Sequence, residues 1–105
     1  MVDPTIIQKS VEKLAAEFKP EKIILFGSQA RGEADHRSDV DLLVVTRFTG
    51  SRRSLMVRMD RALRGLGLAR DIVILTPEEF ERDKDIPGTI ARPAWKEGET
   101  LYARH

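Results

Sequence analysis

Ile6, Ile7, Val11, Leu14, Ala15 and Phe18 recur at helical spacing with Lys and Glu between them. That spacing predicts an amphipathic helix, opening near Pro4 at a favoured early position and closing before Pro20. The pattern then changes. Lys22-Ile23-Ile24-Leu25-Phe26 is a short apolar run stopped by Gly27, which predicts a buried strand. Ser28 to Arg31 is read as one helical turn ended by Gly32, and the polar stretch from Glu33 to Ser38 as a loop. Val40 and Leu42 to Val45 predict a second strand whose far half is buried on both faces.

Ser51 is a good cap for a second long helix, with Leu55, Met56, Met59, Ala62 and Leu63 on its inner side and Gly65 and Gly67 at its end. Asp71 to Leu75, rich in β-branched residues, predicts a third strand. Thr76-Pro77-Glu78-Glu79 has Thr at the cap, Pro at the first helical position and Glu at the third, a capping-box helix start. A short helix through Trp95 and a small last strand at Thr100-Leu101-Tyr102 complete the expectation. Strands alternating with helices in this order predict an α/β (α+β) fold, one mixed sheet flanked by helices.

Length and charge narrow the picture. The chain has 105 residues, which predicts a single domain over 1–105 with one modest core. Its formal net charge is +1, too balanced for nucleic-acid binding by bulk electrostatics. No cysteine is present, so disulfide scaffolds and cysteine zinc sites are excluded. Neither a signal peptide nor a membrane-spanning run is evident, and a cytoplasmic protein is expected. The arginines at 52, 53, 58, 61 and 64 are read as a solvated helix face rather than an RNA surface. Trp95 and Tyr102 are read as packing residues rather than a base-stacking pair, and His36 as passive.

The candidate chemistry lies where strands begin and end. Asp39 and Asp41 alternate onto one strand face, with Cα atoms about 7 Å apart. Carboxylates so placed suit a hard cation such as Mg²⁺, and two such ions can clamp an in-line displacement at phosphorus. Gly27-Ser28 ends the first strand, so it meets the Asp pair only if strands one and two are antiparallel. Asp71 opens the third strand and joins them only if strands two and three are parallel, with the helix after Ser51 as the crossover. Gly27 permits close approach of a phosphate, Ser28 offers a hydroxyl at a helix start, and Arg31 lies one turn on. Asp71 would share the metal or act as base toward an attacking hydroxyl.

Gly27-Ser28-Gln29-Ala30-Arg31-Gly32 followed by Ser38-Asp39-Val40-Asp41-Leu42-Leu43-Val44 resembles the nucleotidyltransferase signature of the DNA polymerase β superfamily, a Gly-Ser pair ten residues before Asp-x-Asp. The resemblance spans essentially the whole chain and is nearest to the minimal (MNT-type) members. It implies that Gly27 and Ser28 hold the β- and γ-phosphates of ATP. It also implies that Asp39 and Asp41 bind Mg²⁺, expected as two ions, and that Asp71 is the third carboxylate. Arg31 is a further candidate phosphate contact. Position 29, often Arg in relatives, is Gln here, which removes one phosphate contact.

Minimal members often accompany a HEPN-domain protein as toxin–antitoxin pairs. The resemblance therefore implies an antitoxin that transfers AMP to a tyrosine of a HEPN partner, in a homo- or hetero-oligomer. Two other readings stay open. One is a binding module that neutralises its partner by contact alone. The other is an antibiotic-modifying enzyme, although such relatives carry an additional helical domain.

Overall fold

The structure is a computed structural model that describes residues 3–27 and 39–104. Helix α1 spans Pro4–Phe18, with Asp3 accepting the Thr5 N–H at 2.9 Å as its cap. It ends at Lys19, which takes a left-handed conformation (φ 48°) and donates its N–H to the Ala15 carbonyl. Pro20 follows, and the chain turns into β1, Lys22–Phe26. Strand β2 is Val40–Val45, helix α2 is Arg52–Ala62, and β3 is Arg70–Leu75. Helix α3 (Pro77–Asp83), helix α4 (Ala91–Glu97) and strand β4 (Glu99–Ala103) complete the described elements.

The strands form one sheet in the order β3-β2-β1-β4. β1 runs antiparallel to both β2 and β4, while β2 and β3 are parallel. This is the mixed topology that the positions of Gly27, the Asp pair and Asp71 require. α2 supplies the β2–β3 crossover that a parallel pair needs.

Side-chain alternation divides the core into two layers. Ile23, Leu25, Val40, Leu42, Val44, Ile72 and Ile74 face α1 and α2, where Leu14, Met59 and Leu63 are fully buried. Ile24, Leu43, Val45 and Leu75 face α3 and α4, meeting Phe80, Ala91 and Ala94. The far half of β2 is thus covered on both faces, as its unbroken apolar run indicates. Met56, expected on the inner side of α2, is instead 38% exposed. Leu55, Met59 and Leu63 form a straight i, i+4 row along the helix, and Met56 sits about 100° round from Leu55, at the rim.

Two features escape a reading of the sequence alone. A Cβ on Gly98 would lie 2.8 Å from Ile24 Cγ2 and 2.8 Å from the Leu25 carbonyl, so Gly98 lets the end of α4 close onto β1. Arg52 grips Glu79 through contacts of 2.8 and 2.9 Å, tying the start of α2 to the start of α3.

The capping box at α3 is present in full. Thr76 Oγ1 accepts from the Glu79 N–H at 3.1 Å, and Glu79 accepts from the Thr76 N–H at 2.8 Å. That backbone bond, followed by Arg52, holds the Glu79 carboxyl below its ordinary value of 4.5. A lowered carboxylate stabilises the fold above its unfolded pKa, and the stabilisation disappears as pH falls through the folded value. Thr76→Ala is expected to cost about 1 kcal/mol in urea unfolding at neutral pH. Glu79→Gln should flatten part of the stability loss between neutral pH and about pH 3, read in the same titration.

Candidate functional site

The head of the sheet is built by register. Phe26 at the end of β1 pairs with Asp41, and Asp41 pairs in turn with Asp71 on β3. Adjacent strands lie about 4.8 Å apart, so the Asp41 and Asp71 backbones are immediate lateral neighbours. The parallel ladder is carried to its very start by Val40, whose N–H donates to the Ala69 carbonyl at 2.8 Å. This bond locks the register at the point where it decides which carboxylates meet.

Alternation puts Asp41 on the face of Leu43 and Val45, and Asp71 on the face of Val73 and Leu75. α3 begins just beyond the far end of β3, away from the strand's Asp71 end. Asp41 is half-buried, while Asp39, one residue before β2, and Asp71 are exposed. Arg70 alternates to the opposite face. Arg70 and Asp71, neighbours in sequence, therefore do not pair with each other. Arg70 instead meets Asp60 at 3.1 Å and donates to the Leu68 and Asp60 carbonyls at 2.8 and 2.7 Å. Asp71 is left to the site, and Arg70 fastens the head of β3 to the end of α2.

Gly27 turns the chain at the end of β1 with φ +76°, a conformation that L side chains rarely adopt. Its hydrogen stands where a Cβ would run into the Asp41 carboxylate. Glycine is therefore needed twice over, for backbone conformation and for the space that Asp41 occupies. Ser28 and Arg31, the other expected phosphate contacts, lie outside the described residues, as do the expected helical turn at 28–31, the loop at 33–38 and His36.

Residues 7–100 match the model of the nucleotidyltransferase domain family. The chain belongs to that family. Among solved structures, this nucleotidyltransferase domain resembles a candidate nucleotidyltransferase from Sulfolobus solfataricus. The two share 25% identity with a TM-score of 0.67, over 95% of this chain and 79% of that one. A toxin–antitoxin structure with AMP-PNP shares the fold at 19% identity and TM-score 0.65, covering 93% of this chain and 74% of that chain. No curated protein matches the sequence.

Nucleotidyltransferase domains generally use a nucleoside triphosphate and a divalent metal, and the donor chemistry here fits such an ion. The carboxylates supply hard oxygens, and Gly27 leaves the Asp41 carboxylate room. Among the described residues, no three His, Cys, Asp or Glu side chains form a ready ligand cluster.

The aromatic residues divide. Tyr102 is half-buried against the α1–α2 layer, as expected of a packing residue. Trp95 meets Phe80 edge-on, with centroids 5.8 Å apart, but remains 40% exposed beneath Lys22 and Lys84. Tyr102 pairs with Ile23 and Trp95 lies beneath Lys22, both toward the start of β1 and away from Gly27 at its end. Among the described residues, no helix is long and apolar enough to cross a membrane.

Proposed function

We propose that this domain transfers AMP from ATP to the hydroxyl of a tyrosine on a HEPN-domain partner and so acts as a cytoplasmic antitoxin. The carrying observation is the lateral register of Phe26, Asp41 and Asp71, with Gly27 against Asp41. The toxin–antitoxin complex with AMP-PNP, built on the same fold, supports the choice of partner and of nucleotide.

In this reading Gly27 and Ser28 cradle the β- and γ-phosphates, with Arg31 as a further contact. Asp39, Asp41 and Asp71 would hold Mg²⁺, which when bound neutralises phosphate charge and favours the ionised acceptor. Asp71, exposed at the sheet edge, receives the acceptor. The acceptor oxygen forms a new bond to the α-phosphorus as the bond from that phosphorus to the bridging oxygen breaks. Pyrophosphate departs with the electron pair, and the hydroxyl proton passes to Asp71 as base.

The test incubates purified protein with Mg²⁺, ATP labelled at the α-phosphate and the HEPN product of a neighbouring gene. Label on the partner, absent when only the γ-phosphate is labelled and absent with Asp41→Ala, is the expected result. A stable complex that never acquires label would replace this reading with contact-only neutralisation. Label on an aminoglycoside instead would make the chain an antibiotic-modifying enzyme.

A further inference from the structure

Directly beside Asp71, an open groove of about 350 Å³ lies between α2 and the head of the edge strand β3. The segment that forms one of its walls is unusually basic for this chain. From Arg52 to Arg64 there are five arginines and one aspartate, a net of +4, against +1 for all 105 residues. Everything outside that segment therefore sums to −3. Within the groove, Asp60 and Arg70 neutralise each other at 3.1 Å. The Arg61 and Arg64 side chains have no ion-pair or hydrogen-bond partner among the described residues. Both border the groove together with Asp71, and both are exposed.

One wall is apolar. Met56 and Val57, each 38% exposed, stand on the α2 side, where a solvated helix would carry polar residues. A methionine wall adapts to varied apolar side chains. Two unpaired guanidinium groups next to it are suited to planar, bidentate recognition of carboxylates. A nucleic-acid strand fits less well. No aromatic ring lines the groove to stack a base.

We infer that this groove seats an acidic segment of a protein acceptor, whose carboxylates meet Arg61 and Arg64 and whose apolar side chain meets Met56 and Val57, so that its hydroxyl arrives at Asp71. The inference rests on the transferase reading above and specifies the acceptor: a hydroxyl residue flanked by Glu or Asp. The basic helix is then a docking face rather than a solvated one.

The experiment measures fluorescence anisotropy with the full chain and a labelled peptide carrying one tyrosine between two runs of three glutamates. A peptide with lysines in those positions and a single-stranded uridine oligonucleotide are the comparators. The Glu peptide should bind best, weaken with salt, and weaken about tenfold in Arg61→Glu/Arg64→Glu, because reversal turns two attractions into repulsions. The Lys peptide should gain affinity on that variant. Arg61→Gln/Arg64→Gln, which only removes charge, should fall between and serves if the reversal impairs folding.

Equal binding of Glu and Lys peptides, indifference to both variants, or preference for the oligonucleotide would overturn the inference. The two readings separate cleanly. Label transfer from ATP with a groove indifferent to charge removes this inference alone. Charge-dependent peptide binding with no transfer to any acceptor removes the transferase reading and leaves the groove.

Discussion

Asp41→Ala is expected to lower nucleotidyl transfer by at least about a thousandfold, on the order of 4 kcal/mol of transition-state stabilisation. Gly27→Ala is expected to approach the same loss by a different route. Asp41 is the one carboxylate placed between the end of β1 and the head of β3, paired with Phe26 on one side and Asp71 on the other. Removing it deletes a charge from the middle of the proposed phosphate site, whereas Asp39 and Asp71 lie on its margins. Gly27→Ala leaves every charge present. It forces a Cβ into a backbone with φ +76°, a cost of about 1–2 kcal/mol. It also pushes that carbon against the Asp41 carboxylate, which must swing out of its place beside Gly27.

A double-mutant cycle separates the two costs. If Gly27 is glycine partly to leave room for Asp41, the stability cost of Gly27→Ala should shrink in the Asp41→Ala background. The φ contribution should remain. The expected coupling is about 1 kcal/mol, within the range for residues in contact. Urea unfolding of the four proteins supplies the stability cycle, and label transfer from ATP supplies the activity comparison. A Gly27→Ala penalty that is identical in both backgrounds would mean that only the backbone conformation requires glycine.

The sequence legibility of this domain follows from where its signals are local. Strand ends were marked by Gly27 and by the Asp pair, and helix starts by Pro4, Ser51 and Thr76-Pro77, so element positions and the mixed topology could be read directly. The sheet positions of the candidate carboxylates were readable for a related reason, since Gly27, the Asp pair and Asp71 can share one sheet edge only in one topology. What was not legible depends on distance in three dimensions. Arg70 and Asp71 are neighbours in sequence, but strand alternation sends Arg70 to the opposite face of the sheet, to Asp60. Met56 was placed in the core by its spacing, yet only the row through Leu55, Met59 and Leu63 reaches it. Trp95 was expected simply to pack, and it packs by one edge only. The closeness of Gly98 to Ile24, and of Arg52 to Glu79, joins segments far apart in the chain for which no spacing rule exists.

Phe80→Ala is expected to cost about 3–5 kcal/mol, a large part of the stability of a domain of this size. The reason lies in how thin the α3–α4 layer is. Its helices contribute three buried residues, Phe80, Ala91 and Ala94, and only the first has bulk. Both helices are seven residues long, too short to persist without packing. Phe80 is 1% exposed, lies against the sheet, and supports Trp95 edge-on at 5.8 Å. With alanine there, α3 and α4 would rest on the sheet through alanines alone. Phe80→Leu keeps most of the volume and should cost less than about 1.5 kcal/mol. The opposite layer, built from α1 and α2, does not touch Phe80. Amide exchange in Phe80→Ala should therefore accelerate across 77–97 by more than it does within α1. Uniform acceleration throughout would show instead that the two layers unfold as one unit, with Phe80 contributing to a single cooperative core. Because α3, which carries Phe80, begins beyond the far end of β3 from Asp71, the folded fraction of Phe80→Ala should keep its transfer rate within a few fold. A drop to the level of Asp41→Ala would mean that this layer also sets the carboxylate geometry, through Phe26 and Val73 at its margin.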